Sequence, residues 1–70
     1  MHKTKIVATL GPSTDSVDKI CALISAGLNV ARINLSHGDR NSHQQAIAMV
    51  KEARAKVGKP VAILLDNRGP

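Results

Sequence analysis

Val61-Ala62-Ile63-Leu64-Leu65 is apolar at every position, with no alternation of wet and dry residues. A strand with one wet face alternates, and a buried helix needs a longer run. The run follows Pro60 and gives way to the polar turn Asp66-Asn67-Arg68-Gly69-Pro70. It therefore predicts a parallel strand, Val61 to Leu65, covered on both faces. Parallel strands need crossovers of a dozen or more residues. The preceding chain must then supply both partner strands and crossover helices.

It supplies two of each. Ile6-Val7-Ala8-Thr9-Leu10 is a β-branched run that stops at the turn signal Gly11-Pro12. Asn29 to Leu35 is a second strand. Between them Val17, Ile20, Cys21, Ile24 and Leu28 recur at helical spacing, with Asp15 or Ser16 as N-cap, Asp18 in the first turn and Gly27 as the stop. A second helix starts at a cap on Asp39 or Ser42 and runs to about Val57, before Gly58 and Pro60. Its apolar stripe is Ala46 or Ile47, Val50, Ala53 or Arg54, and Val57, flanked by Met49. Glu52 and Lys56 form an i,i+4 pair on its wet side.

The fold class is α/β, a β-α-β-α-β order with parallel strands. Two helices on one side of the sheet would leave the other side bare. The order thus fits a doubly wound sheet with one helix per face, or the first three strands of a closed β/α barrel. An end one turn after an apolar strand favours a piece of a larger protein.

Composition narrows this further. With no Phe, Tyr or Trp among 70 residues, the core must be built from Ile, Leu, Val, Ala and Met. Each of the larger ones contributes about 1.5–3 kcal/mol when fully buried. The isolated chain is expected to be marginal. Ten Lys and Arg against five Asp and Glu give a formal charge of +5, which favours anionic partners. The basic residues are scattered and no aromatic can stack on a base, which argues against nucleic acid. The lone Cys21 predicts a buried structural thiol, and without a signal peptide it fits a reducing cytoplasm. No apolar run approaches the ~20 residues of a membrane span.

Ligands of parallel α/β folds bind at the C-terminal ends of the strands. Three polar turns fall there: Gly11-Pro12-Ser13-Thr14, Asn34 to Asp39, and Asp66 to Pro70. Arg32, Asn34 and Ser36 are spaced two apart, so an extended chain puts them on one face and Ala31, Ile33 and Leu35 on the other. Such a polar row is costly to bury unless a ligand or an ion satisfies it. Arg32 suits a planar anion such as phosphate, and the Asn, Ser and Asp oxygens suit a hard cation. The plainer readings stay open: Arg32 as a surface ion-pair partner, Asn34 and Asp66 as turn caps. His37 has no Cys or second His at metal spacing, and His2 and His43 read as solvated. No phosphate loop with Gly-Lys-Ser/Thr occurs. These residues support a phosphate-ligand site and leave the reaction unnamed.

Three segments add to this. Lys3-Thr4-Lys5-Ile6-Val7-Ala8-Thr9-Leu10-Gly11-Pro12, Ala31-Arg32-Ile33-Asn34-Leu35-Ser36-His37-Gly38, and Ile63-Leu64-Leu65-Asp66-Asn67-Arg68-Gly69-Pro70 closely resemble, in that order, the amino-terminal region of the pyruvate kinases. The resemblance implies that residues 1–70 are the first part of a TIM (β/α)8 barrel domain, ending where a small lid (B) domain begins. It implies transfer of the phosphoryl group of phosphoenolpyruvate to ADP, giving pyruvate and ATP in glycolysis, with Mg²⁺ and usually K⁺, in a homotetramer. By the same resemblance Arg32 contacts the substrate phosphate. Asn34, Leu35, Ser36 and His37 match a nucleotide-binding segment, and Asn34, Ser36, Asp66 and Asn67 match K⁺ ligands. The family usually has Asp-Thr-Lys-Gly-Pro where this chain has Asp66-Asn67-Arg68-Gly69-Pro70, which alters one K⁺ position and one cation. The family's catalytic lysine and Mg²⁺ ligands fall outside this segment, so the 70 residues alone are expected to be inactive. The alternatives are another phosphoenolpyruvate-handling β/α barrel and a small basic anion- or nucleic-acid-binding module.

Overall fold

Three strands, β1 (Ile6–Leu10), β2 (Leu28–Asn34) and β3 (Ala62–Asp66), form one parallel sheet in the order β1-β2-β3. The coordinates are a computed structural model that describes residues 4–11 and 14–67. Helix α1 (Val17–Ser25) links the first two strands and α2 (Arg40–Val57) the last two.

Each helix starts and stops for a local reason. Ser16, not Asp15, is the N-cap of α1, its hydroxyl oxygen accepting from the Lys19 N–H at 3.2 Å. Asp15 is left to pair with the Lys19 ammonium at 3.3 Å. At the start of α2, Asp39 and Ser42 act together rather than as alternatives. The Asp39 carboxylate accepts from the Ser42 N–H at 2.8 Å, and the Ser42 hydroxyl oxygen accepts from the Asp39 N–H at 3.0 Å. Helix α2 ends at Gly58, whose φ of +77° is open to glycine at little cost.

Ile20 and Ile24 of α1, Val50 and Ala53 of α2, and Leu28 and Ala31 of β2 make one buried cluster, closed by Val61. Both helices therefore lie on the same face of the sheet, packed on each other. The sequential strand order and this single helical layer exclude the doubly wound alternative. Ala8, Leu10 and Ile63 pack toward the helices, so period two puts Val7, Thr9, Val30, Arg32, Asn34, Ala62, Leu64 and Asp66 on the face without helices. Val7 is 54% exposed and Leu64 48%.

Several expectations are corrected. Leu28 opens β2 instead of closing the stripe of α1, and it is buried there. Strand β2 ends at Asn34, and Leu35 lies in the turn. Strand β3 spans Ala62–Asp66 rather than Val61 to Leu65, because Asp66 pairs in register with Asn34 instead of opening the turn. The helices of this segment cover one of its faces. Cys21 is half-buried, not fully buried, with its thiol 3.8 Å from the Ala53 carbonyl oxygen between the helices. Of the α2 alternatives, Ala53 is the buried residue, and Arg54 swings out to donate from Nη1 to the Val61 carbonyl at 2.9 Å. Glu52 and Lys56 do pair, at 3.6 Å.

Candidate functional site

The C-terminal ends of β2 and β3 bring Arg32, Asn34 and Asp66 onto the face without helices. Parallel register sets Asn34 beside Asp66 and Arg32 beside Leu64. From there the Arg32 guanidinium reaches along the strand and pairs through Nη2 with Asp66 Oδ2. The two side chains are 41% and 31% exposed, so the pair stays in contact with water. No buried side-chain nitrogen or oxygen lacks a partner among the described residues. The polar row is thus satisfied internally and by solvent, in line with the plainer readings of Arg32 as an ion-pair partner and Asn34 as a turn cap.

Ser36 does not continue the alternation of β2. The chain turns after Asn34, and the Asn34 amide oxygen accepts from the Ser36 N–H at 3.0 Å and the Ser36 hydroxyl at 2.6 Å. This is the local bonding by which Asn starts turns. The Leu35 N–H donates to the Asp66 carbonyl at 2.8 Å, which ties the turn to β3. Asn34 and Ser36 are thus bonded to each other and Asp66 lies in register beside Asn34, and the groups they could offer a cation are oxygens. That set fits a hard cation of low charge better than a soft metal. Asn67 follows directly on β3 and is exposed. Arg68, Gly69, Pro70, Pro12 and Ser13 lie outside the described residues. No group of three or more His, Cys, Asp or Glu able to hold a metal occurs among the described residues.

Beside this rim a cleft of about 360 Å³ opens between the ends of β1 and β2 and the first turns of α2. Leu10, Ile33, Ala46 and Met49 make its apolar floor, with His37 and His43 at its edge. His43 is half-buried and its Nε2 meets the His37 carbonyl oxygen, which corrects its reading as a solvated residue. The Arg32–Asp66 pair and this histidine contact escaped the sequence reading. Their signals were present, in a β2 cation two residues before a strand end and in two histidines six apart around Gly38.

Among the described residues, the Asp39 carboxyl is held low by its cap. The Ser42 backbone N–H, aided by the Ser42 hydroxyl and the His43 imidazole, holds its carboxyl below the ordinary 3.8 despite an opposing desolvation effect. A depressed carboxyl contributes stability that is full above the ordinary value and lost as pH falls through the folded one. Amide exchange at the start of α2 is expected to accelerate over that acid window. Asp39→Asn keeps the cap but removes the charge, so it should flatten the acid limb. An unchanged limb in this variant would place its cause elsewhere.

Residues 1–70 match the family model described as "Pyruvate kinase, barrel domain" over their full length. The chain belongs to the pyruvate kinase family. It is 56% identical over 69 residues to a pyruvate kinase of Geobacillus stearothermophilus, covering 99% of this chain and 12% of that protein. It is 54% identical over 70 residues to one of Thermotoga maritima, covering 100% of this chain and 15% of the relative. A chloroplastic pyruvate kinase isozyme G of Nicotiana tabacum is 56% identical over 70 residues, 99% of this chain and 12% of its own length. The chain thus spans about an eighth of the length of the relatives it matches. In a β/α barrel the helices form the outer layer. The face bearing Val7, Arg32 and Leu64 is accordingly the inward side of a pyruvate kinase barrel, and the Arg32–Asp66 pair lies at its C-terminal rim. No helix among the described residues is long and apolar enough to cross a membrane.

Proposed function

We propose that the complete protein transfers the phosphoryl group of phosphoenolpyruvate to ADP, and that this segment supplies part of the substrate and cation contacts at the barrel rim. The observation that carries this reading is the half-exposed Arg32 guanidinium on the inward face, beside an all-oxygen set, in a chain matched by the barrel-domain model throughout. Phosphoryl transfer spreads charge over the phosphoryl oxygens, and a fixed planar cation can follow that charge. Arg32 would release Asp66 and turn to the phosphate. Asn34, Ser36, Asp66 and Asn67 would hold K⁺, which adds positive charge beside the substrate when bound. Asn34, Leu35, Ser36 and His37 would line the nucleotide's path along the cleft. Mg²⁺ and the proton chemistry belong to residues outside this segment. A homotetramer in a reducing cytoplasm completes the proposal.

The test is a lactate-coupled assay of the complete polypeptide and of the 70-residue chain. Turnover that needs phosphoenolpyruvate, ADP and a divalent cation is expected for the former and none for the latter. Replacing K⁺ by a bulky tetraalkylammonium ion should lower the rate if the four oxygen donors hold a monovalent cation. Activity in the short chain, or none in the long one, would overturn the reading.

A further inference from the structure

We propose that His43 is a positioning residue, holding the loop after β2 in the shape that presents Asn34, Ser36 and His37 to the rim. This inference rests on the proposed nucleotide path, and one arm of its test does not.

The loop has few anchors of its own. Its first turn is fixed at Asn34, and the His37 N–H reaches the Asn34 carbonyl only at a long 3.4 Å. Beyond His37 the backbone turns through Gly38 at φ +76° and enters the Asp39 cap. Gly38 lies directly on the first turns of α2. A Cβ there would stand 2.5 Å from the Ser42 hydroxyl and 3.7 Å from His43 Nε2. The imidazole therefore sits against the loop, on a regular 18-residue helix, and its Nε2 meets the His37 carbonyl. A carbonyl only accepts, so Nε2 must carry the proton. Both the Nε2–H neutral ring and the imidazolium satisfy this, whereas the Nδ1–H tautomer does not. The bond passes the rigidity of α2 to the part of the loop beyond Leu35, whose N–H tie to the Asp66 carbonyl is its link to β3. The imidazole, Gly38 and the cap thus act on the consecutive residues His37, Gly38 and Asp39, while Asn34 holds the Ser36 hydroxyl.

The test compares His43→Leu and His43→Gln in the complete polypeptide, since a Gln amide N–H reaches about where Nε2–H does. Losing one such bond should raise the KM for ADP roughly fivefold to tenfold in His43→Leu, with kcat nearly unchanged. His43→Gln should restore it to within about twofold. Independently of activity, ¹⁵N-resolved NMR of the His43 ring should show Nε2 protonated at neutral pH, and amide exchange at Gly38 should quicken in His43→Leu. Equal behaviour of the two variants, or an Nδ1–H tautomer in the wild type, would overturn the proposal. If the wild type turns over no ADP while the ring signature is as expected, the functional reading fails and the loop anchor stands.

Discussion

Ile20→Ala is expected to abolish cooperative folding of the 70-residue chain. Ile20 is fully buried, at the centre of the one cluster that joins α1, α2 and the sheet. Removing its outer carbons costs about 2–5 kcal/mol, part transfer and part cavity. A domain of this length commands roughly 4–10 kcal/mol at about 0.05–0.15 kcal/mol per residue. This one starts from the low end, because half its sheet surface carries no cover and no aromatic reinforces the core. The loss and the whole are then of similar size. Thermal melts followed by circular dichroism give the check. The wild type should show a weak transition and the variant none, or a melting point lower by at least about 8 °C. A smaller shift would mean that the cluster collapses around the gap.

Arg32→Gln should lower kcat/KM for phosphoenolpyruvate in the complete polypeptide by about 10²–10³-fold, the usual cost of losing one group aimed at developing charge. Arg32→Lys should recover only part of this, since an ammonium keeps the charge and loses the two-pronged geometry. The stability effect should be small in both. The Arg32–Asp66 pair is partly exposed, and such pairs contribute only about 0–1 kcal/mol. Activity should thus fall with little change in melting point. A large stability loss with unaltered kcat/KM would instead make Arg32 a purely structural partner of Asp66.

How much of this was legible beforehand differs from element to element. The strand and helix pattern could be read almost directly, because Ile6–Leu10 and the Ile20, Ile24, Val50 stripes repeat at the periods their geometry requires. Boundaries slipped by one residue at Leu28 and Asp66, where a side chain suits either state and strand pairing decides. The site residues Arg32, Asn34 and Asp66 stood out as polar groups at apolar strand ends. Their partners did not, since the Arg32–Asp66 pair joins residues 34 positions apart and depends on the register of β2 against β3. Ser36 leaves the strand geometry for a related reason. Period two holds only while the strand continues, and the Asn34 amide ends it by capturing Ser36.

Sequence by itself settled the element order, the parallel sheet, the core stripes and the polar character of the strand ends, because these follow from local periodicity and composition. The tertiary structure alone decided that both helices share one face, that Asp66 belongs to a strand and binds Arg32, and that His43 reaches the His37 carbonyl. Each of those depends on strand order, register or the angle at which α2 leaves the loop. None of these is encoded in the spacing of residues along the chain, because all are fixed by which surfaces can be buried together.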